Sequence, residues 1–547
     1  MNKVMGRKLI ALDIPLVSLL WPEGRPQGDQ GGASWEGDLG LGDLSAALTA
    51  GTRYSGHVKQ VLTTLIQDPA VIEWRQAVLA DFLNNPALVE AAGELLPRLA
   101  HLQTGNAMLG RRQRNLLLDT ADHLAELEAF VAIVQDLQAI LSKAQLESAA
   151  LRQLATAMGR LVDEPDFQTL RDELPGLRQP LEQVRSLTVG INLDLELKPI
   201  SAVLLAINGM KFSGKVSWLE RVLGADDALM EEVGLARLHG VPDDPNQRPL
   251  SQLFQDMDQL LTQVAQPISK ALGRYARTGS GVLVYLEYEL AYFTAAARMI
   301  REMEERGVVF CRPMIAGAAE RVCAIEGLVN VGLALRKQAV VANDVLLGDE
   351  GRIAVLTGPN SGGKTTYLRS VGLAQVMFQA GLYVPARTAR MSPVDRILTH
   401  FQALETRQDG RLAEEAGRLR KIFEQATATS LVLLNETFSS TSSGEAVYLA
   451  HDVLAGLRAI GARVIYATHL NELAERLDEI MAAAEGDCVL FSLVAGVEMG
   501  AEGEAKPTYR IQRGEPLGRS YAREIARRHG ISLEQILAGR AKPRVSG

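Results

Sequence analysis

Gly358-Pro359-Asn360-Ser361-Gly362-Gly363-Lys364-Thr365 is a phosphate-binding loop of the form G-x-x-x-x-G-K-[ST]. The text on both sides suits it. Ile353-Ala354-Val355-Leu356 predicts a buried strand, and Thr366-Tyr367-Leu368-Arg369 opens a helix running to about Gln379. Glycines let backbone N–H groups turn toward phosphate oxygens, and the helix N-terminus adds positive potential. Lys364 has the reach for β- and γ-phosphates, and the Thr365 hydroxyl is placed to ligate Mg²⁺. The plainer alternative is a glycine-rich turn with an incidental lysine. The complete motif between a strand and a helix favours nucleotide binding.

Hydrolysis needs more than a phosphate cradle. Ser430-Leu431-Val432-Leu433-Leu434 predicts a second buried strand, ending in Asn435-Glu436. Nucleotidases of this kind normally place Asp first, to order the Mg²⁺ shell. Asn435 can accept a hydrogen bond there but brings no negative charge. Glu436 follows and can orient the attacking water as a general base. A third strand, Val464–Ala467, leads to Thr468-His469, at the sheet end where ligands bind in open α/β folds. His469 is therefore a candidate for the γ-phosphate or its water. Thr437 to Glu445 is rich in hydroxyls and opens a helix over Ala446 to Leu457. Ser442 and Ser443 are natural N-cap residues, and the loop is either a cap only or a second phosphate-contacting surface across a dimer interface.

The rest of the chain sets bounds. With 547 residues, two to four domains are expected. The net charge of −8 supplies no global basic field, so any DNA contact needs a local basic face. The 3 cysteines, Cys311, Cys323 and Cys488, are unpaired in spacing and lack histidine partners. That points to a reducing compartment, the cytoplasm, and away from disulfides or zinc. No apolar run is long enough to span a membrane, and Asp13 and Pro15 interrupt the apolar start of the chain.

Trp21 to Asp43, rich in Gly, Pro and acidic residues, reads as a linker or loose loop. From about residue 50 to 180 apolar residues recur at three- and four-residue spacing, predicting helices. Thr188–Leu193 and Val203–Ile207 look extended. Asn208 to Lys215 and Gly240 to Pro249 read as loops, and helical patterns resume over Leu250–Ala276 and Val282–Arg306. From about Asn330 strands and helices alternate, as in a parallel sheet covered by helices.

In combination these segments resemble the MutS family of DNA mismatch-repair ATPases. TGPNSGGKTTYLRS resembles that family's phosphate loop, LVLLNETFSSTSSGEA its second acidic motif and signature loop, and ATHLNELA its A-T-H-x-x-E-L switch. VVANDVLL, Val340 to Leu347, is similar to the segment that precedes the phosphate loop. PTYRIQRGEPLGRSYAREIARRHGI resembles a late family region, while Leu62–Pro86 and Leu283–Ile300 look like parts of its helical lever. The resemblance implies an α/β ABC-type P-loop ATPase domain preceded by a mainly α-helical lever/core domain. It divides the chain into an N-terminal segment and linker (1–49), a lever/core domain (50–325, with a clamp insertion at about 186–250) and an ATPase domain with a C-terminal helical dimerisation segment (326–547).

The same resemblance assigns ATP and Mg²⁺ as ligands. Gly358, Pro359, Asn360, Ser361, Gly362, Gly363, Lys364, Thr365 and Thr366 would hold phosphates, with Thr365 and Asn435 arranging the metal. Glu436 would activate water and His469 sense the γ-phosphate. Val340 stands where the family has an adenine-facing aromatic, Asn343 falls on its asparagine, and Ser442 would reach a partner subunit's nucleotide, implying a homodimer. Departures are equally plain. A mismatch-reading domain, a connector domain and a following nuclease domain have no counterpart. Phe438 and Ser440 replace signature glycines, and Gly410 to Glu415 departs from the family's G-x-S-T-F.

Two functions follow. One is a nucleotide-gated dimeric DNA clamp in mismatch repair or related DNA maintenance, with Lys211, Lys215, Lys270, Arg274 and Arg277 as candidate backbone contacts. The other is a nucleotide-gated scaffold with little turnover, acting on RNA or a ribosome if not on DNA. A transporter ATPase is the weakest fit, given the double-glycine loop and the long helical N-terminal half.

Overall fold

The computed structural model describes residues 11–12, 17–22, 34–49, 52–108, 116–182, 185–193, 195, 199–210, 265–272, 275, 277–278, 280–336, 338–402, 411–438, 441–499, 505–516, 527 and 531–540. The chain divides into two compact units. One comprises residues 1–16, 94–143 and 154–285; the other comprises residues 17–93, 144–153 and 286–547.

The first unit is helical with one hairpin. Helix Leu116–Lys143 buries Leu124, Leu127, Phe130 and Val134 on one stripe, and Phe130 meets Phe167 of helix Pro165–Glu182 edge-on at 6.2 Å. Arg178 and Glu128 pair across the same two helices. The extended segments foreseen near 188 and 203 are antiparallel strands, Ser186–Leu193 and Pro199–Asn208, with two register shifts. Lys211, Lys215, Arg274 and the Gly240–Pro249 stretch lie outside the described residues, as does the 250–264 part of the expected helix; 265–272 is helical and Lys270 is exposed.

The second unit carries the phosphate loop. In chain order its labelled helices are α1 (Glu36–Leu39), α2 (Leu41–Ala47), α3 (Ser55–Thr63), α4 (Pro69–Asn84), α5 (the part of Ser280–Glu304 from residue 286), α6 (Val331–Leu335), α7 (Lys364–Gln379), α8 (Arg411–Gln425) and α9 (Ser443–Ile460). Its strands are β1 (Met314–Ile315), β2 (Cys323–Leu328), β3 (Asn343–Leu347), β4 (Ile353–Thr357), β5 (Thr388–Met391), β6 (Ile397–Phe401), β7 (Leu431–Asn435), β8 (Arg463–Ala467), β9 (Leu490–Met499) and β10 (Ala505–Arg513).

The main sheet runs β6-β7-β8-β4-β9-β10, parallel throughout except for β10. Every residue of β4, β7 and β8 is buried. Strands covered on both faces read as unbroken apolar runs, which is why these three were legible. One face packs on α8 and α9 through Leu419, Ile422, Val447, Ala450 and Leu454. On the phosphate helix α7, Leu433 of β7 comes close to Gly372. A second sheet, β1-β5-β2-β3, stands beside it in the chain. Strand structure thus begins before Asn330, in short segments too polar and glycine-interrupted to announce themselves.

The reading of Trp21–Asp43 as a loose loop is corrected over its described part. Residues 36–47 form α1 and α2, burying Trp35, Leu39, Leu41 and Leu44. Gly40, at φ +71, closes α1 and opens α2 in the left-handed region, so this glycine is a cap rather than a sign of looseness.

Candidate nucleotide site

β4 ends in the phosphate loop, and α7 begins at Lys364 with Gly363 as its N-cap. Gly358 sits at φ +140, and a Cβ there would lie 2.7 Å from that of Ala495. Only glycine lets the chain turn so close to β9. The Lys364 ammonium, on a residue 4% exposed, curls back onto the loop. It donates to the carbonyls of Gly358 (2.9 Å) and Pro359 (3.1 Å) and stands 3.5 Å from the Glu436 carboxylate. Burial lowers its pKa, and the nearby carboxylate opposes that shift.

β7 delivers the acidic end. Asn435 Oδ1 accepts a 3.1 Å hydrogen bond from Thr365 Oγ1, joining the two residues expected at the metal. Glu436 turns out of the strand at φ +52, and its N–H donates to the carbonyl of Ala467 at 2.8 Å. A non-glycine residue held there is strained, and β8 fixes it. The donor set suits Mg²⁺, which takes hard oxygens from one or two side chains and leaves positions for phosphates and water.

These groups share one cleft of about 960 Å³. Of the residues foreseen, Asn360 to Thr366, Val340, Asn343, Asn435 and Glu436 line it. Gly358 and Pro359 do not; their carbonyls hold Lys364 from behind. The Asn343 amide is engaged at both ends, donating to the Tyr509 carbonyl (3.0 Å) and accepting from Ile511 N–H (2.7 Å). It thereby pins β10 beside the cleft. His469 is exposed and does not line the cleft. Ser442 caps α9, bonding Glu445, and also lies away from the cleft.

In the signature loop, Ser439 and Ser440 lie outside the described residues. Phe438 holds φ +65, in the left-handed region that favours glycine, yet its ring is buried with Leu398, Leu419 and Ile422. Its N–H donates to Glu415 at 2.9 Å, so the departing Arg411–Glu415 segment begins α8 and braces this loop. Behind it His400 is buried, with Nδ1 3.3 Å from Thr437 Oγ1; burial and nearby Arg418 push its pKa down to about 4.

Sequence reading missed several lining residues. Tyr509 of β10, at φ +58, brings an aromatic ring beside Gly363. Gly37 and Asp38 of α1 line the cleft from more than three hundred residues upstream. No local motif marks either place. The signal was the apolar spacing of Trp35, Leu39, Leu41 and Leu44.

A parallel sheet whose central strand feeds a phosphate loop, with an acidic strand end and switch strand beside it, defines a P-loop nucleotide-binding domain. Comparison with known proteins gives its family. A family model described as MutS domain V matches residues 354–539, and one described as MutS2 N-terminal domain matches residues 67–306. The chain is 30% identical over 300 residues to DNA mismatch repair protein MutS of Chlorobium phaeobacteroides, covering 54% of this chain and 31% of that one. It is 31% identical over 285 residues to DNA mismatch repair protein MutS 2 of Halobacterium salinarum (47% and 32% covered). It is 37% identical over 213 residues to Endonuclease MutS2 of Thermomicrobium roseum (38% and 25% covered). The chain belongs to the MutS family, and its domain V is an ABC-type ATPase domain. It spans a third or less of the length of these relatives. Among the described residues no helix is long and apolar enough to cross a membrane.

Proposed function

We propose that this chain binds and hydrolyses ATP with Mg²⁺ and works as a nucleotide-gated homodimeric clamp on DNA, in mismatch repair or related maintenance. The observation that carries the catalytic part is the cluster Lys364, Thr365, Asn435 and Glu436 at one cleft end. Phosphate oxygens entering the cradle offer Lys364 better partners than two neutral carbonyls. Its release from Glu436 frees that carboxylate to accept a proton from an attacking water. The strained backbone at Glu436, tied to β8, holds the carboxylate in place for that step. Bound Mg²⁺ would be held by Thr365 and Asn435 and would neutralise charge on the phosphates. The Tyr509 ring gives the base an apolar surface where Val340 is small. The DNA part rests on the relatives' names, and on the 50–325 lever and 326–547 ATPase division that the motifs suggest.

One observation favours the scaffold reading. Asn435 is neutral, 8% exposed and already satisfied by Thr365. That arrangement suits binding better than fast turnover. The two readings separate in one experiment: phosphate release with Mg²⁺, without DNA and with homoduplex, mismatched and branched DNA, beside Glu436→Gln. Turnover that responds to DNA and falls by about 10²–10⁴-fold in Glu436→Gln is the expected result. Tight ATP binding with no turnover would leave the scaffold.

A further inference from the structure

We propose that Asp38 is a positioning residue of the nucleotide site, supplying the acidic charge at its metal end that Asn435 withholds. This rests on the ATP-site reading above and deepens it. Only two carboxylates line the cleft among the described residues, Glu436 and Asp38, and Glu436 faces Lys364. Two independent contacts locate Asp38. From the sheet side, its Oδ2 accepts a 2.7 Å hydrogen bond from Thr399 Oγ1. Thr399 pairs with Leu433, two residues before the Phe401–Asn435 pair of the same ladder. Strand spacing puts the two Cα positions, Thr399 and Asn435, about 8 Å apart. From the helix side, Arg369 Nε donates to the Asp38 carbonyl at 2.8 Å. Arg369 lies four residues after Thr365, on the same face of α7 one turn on. Asp38 is thus fastened both to the strand beside the one that carries Asn435 and to the helix that carries Thr365.

From there its carboxylate would act on the metal through bound water, which Mg²⁺ retains readily, rather than as a direct ligand. The position is built, not incidental. Trp35 and Leu39, 4% and 0% exposed, anchor the helix on either side, and Leu39 packs against Gly372 of α7. Arg418 stands 3.9 Å from the same Oδ2 and offsets part of the charge, with its side chain 35% exposed. A segment remote in sequence therefore provides, in cis, the charge that the usual aspartate provides from the strand end.

The test is the Mg²⁺ dependence of binding of a non-hydrolysable ATP analogue, with bound Mn²⁺ read by EPR, on the full chain. Asp38→Asn keeps the bond to Thr399 and removes only the charge. The expected result is a roughly tenfold higher metal requirement, unchanged analogue binding in EDTA, and recovery in Asp38→Asn/Asn435→Asp. Asp38→Ser serves if the amide is not tolerated. A metal requirement equal to wild type, or a loss of binding equal with and without metal, would show Asp38 to be a fastening only and overturn the inference. Wild-type protein that binds no analogue at all would overturn the ATP-site reading and this inference with it.

Discussion

Two glycine-rich segments line the same cleft: 358–365, with Gly358, Gly362 and Gly363, and 34–42, with Gly37, Gly40 and Gly42. By composition they are alike. The first announces itself, because its glycines stand at fixed spacing before a lysine and a threonine. The second does not, because what orders it is the burial of Trp35, Leu39 and Leu41 against distant parts of the unit. The fastenings differ in kind as well. The phosphate loop is held by a buried cation, and α1 mainly by apolar side chains, with Asp38 at the cleft and a surface ion pair from Glu36 to Lys59 of α3. Upstream of α1, residues 17–21 are tied by a buried acid: Ser18 Oγ and Leu19 N–H both donate to the Glu289 carboxylate of α5.

The sharpest way to break the comparison is at the cation. Lys364→Ala removes the only ammonium in the cleft's lining among the described residues, and leaves the Gly358 and Pro359 carbonyls and Glu436 without it. Hydrogen bonds to charged groups contribute about 1.5–3 kcal/mol, so nucleotide affinity should fall about 10- to 150-fold in calorimetric titration. A loss under threefold would mean that the loop's motif misleads and that the cleft binds something else.

What was legible follows from where the ordering information lies. Strands β4, β7 and β8 and the start of α7 were readable because buried parallel strands and a phosphate loop carry their signal within ten residues. Thr365 and Asn435 could be paired on paper because both motifs are local, and the 3.1 Å bond joins them. Asp38 was not readable. Its Gly-Asp-Leu-Gly surroundings carry turn chemistry, and only long-range packing turns them into helix. Tyr509 was hidden for a similar reason: it enters the cleft from β10 at φ +58, a backbone state that no residue-type rule assigns to tyrosine. Phe438 shows the reverse case. The sequence marked it as a lost glycine, and the fold holds it in a left-handed backbone that favours glycine while using the ring for the core.

The buried acid gives a pH-dependent way to sharpen the contrast. Burial raises the Glu289 pKa from 4.5 to about 7, although Ser18, Leu19 and neighbouring Arg75 oppose it. Arg75, itself wholly buried, is lowered to about 10 by the same desolvation. A carboxyl whose folded pKa is raised stabilises fully below the unfolded value and loses that contribution as pH climbs through the folded one. Denaturant midpoints should therefore imply up to about 3 kcal/mol less stability at pH 7.5 than at pH 4.5 from this group. Glu289→Gln should flatten that slope. An unchanged slope would mean that the acid stays ionised and that residues 17–21 are held by ordinary charged hydrogen bonds.

The smallest effect tests the contact on which the comparison depends, Leu39 against the phosphate helix. A Cβ on Gly372 would lie 2.5 Å and 2.7 Å from the two Leu39 methyls and 3.1 Å from Leu433. Replacing a mid-helix glycine by alanine gains about 1 kcal/mol of helix propensity, while overpacking a close contact costs about 1–3 kcal/mol. Leu39 is fully buried and has little room to retreat, so Gly372→Ala should destabilise by about 1 kcal/mol net. Leu39→Ala alone should cost about 2–5 kcal/mol. In the double variant the new methyl occupies space that Leu39 has vacated, so the clash with Leu39 disappears, only the lesser crowding against Leu433 stays, and the propensity gain remains. Equilibrium denaturation of all four proteins should then give a favourable coupling of about 1 kcal/mol or more. Costs that add to within about 0.5 kcal/mol would mean that α1 does not rest on α7 in solution. The phosphate loop would then stand alone, with no cis charge delivered beside it.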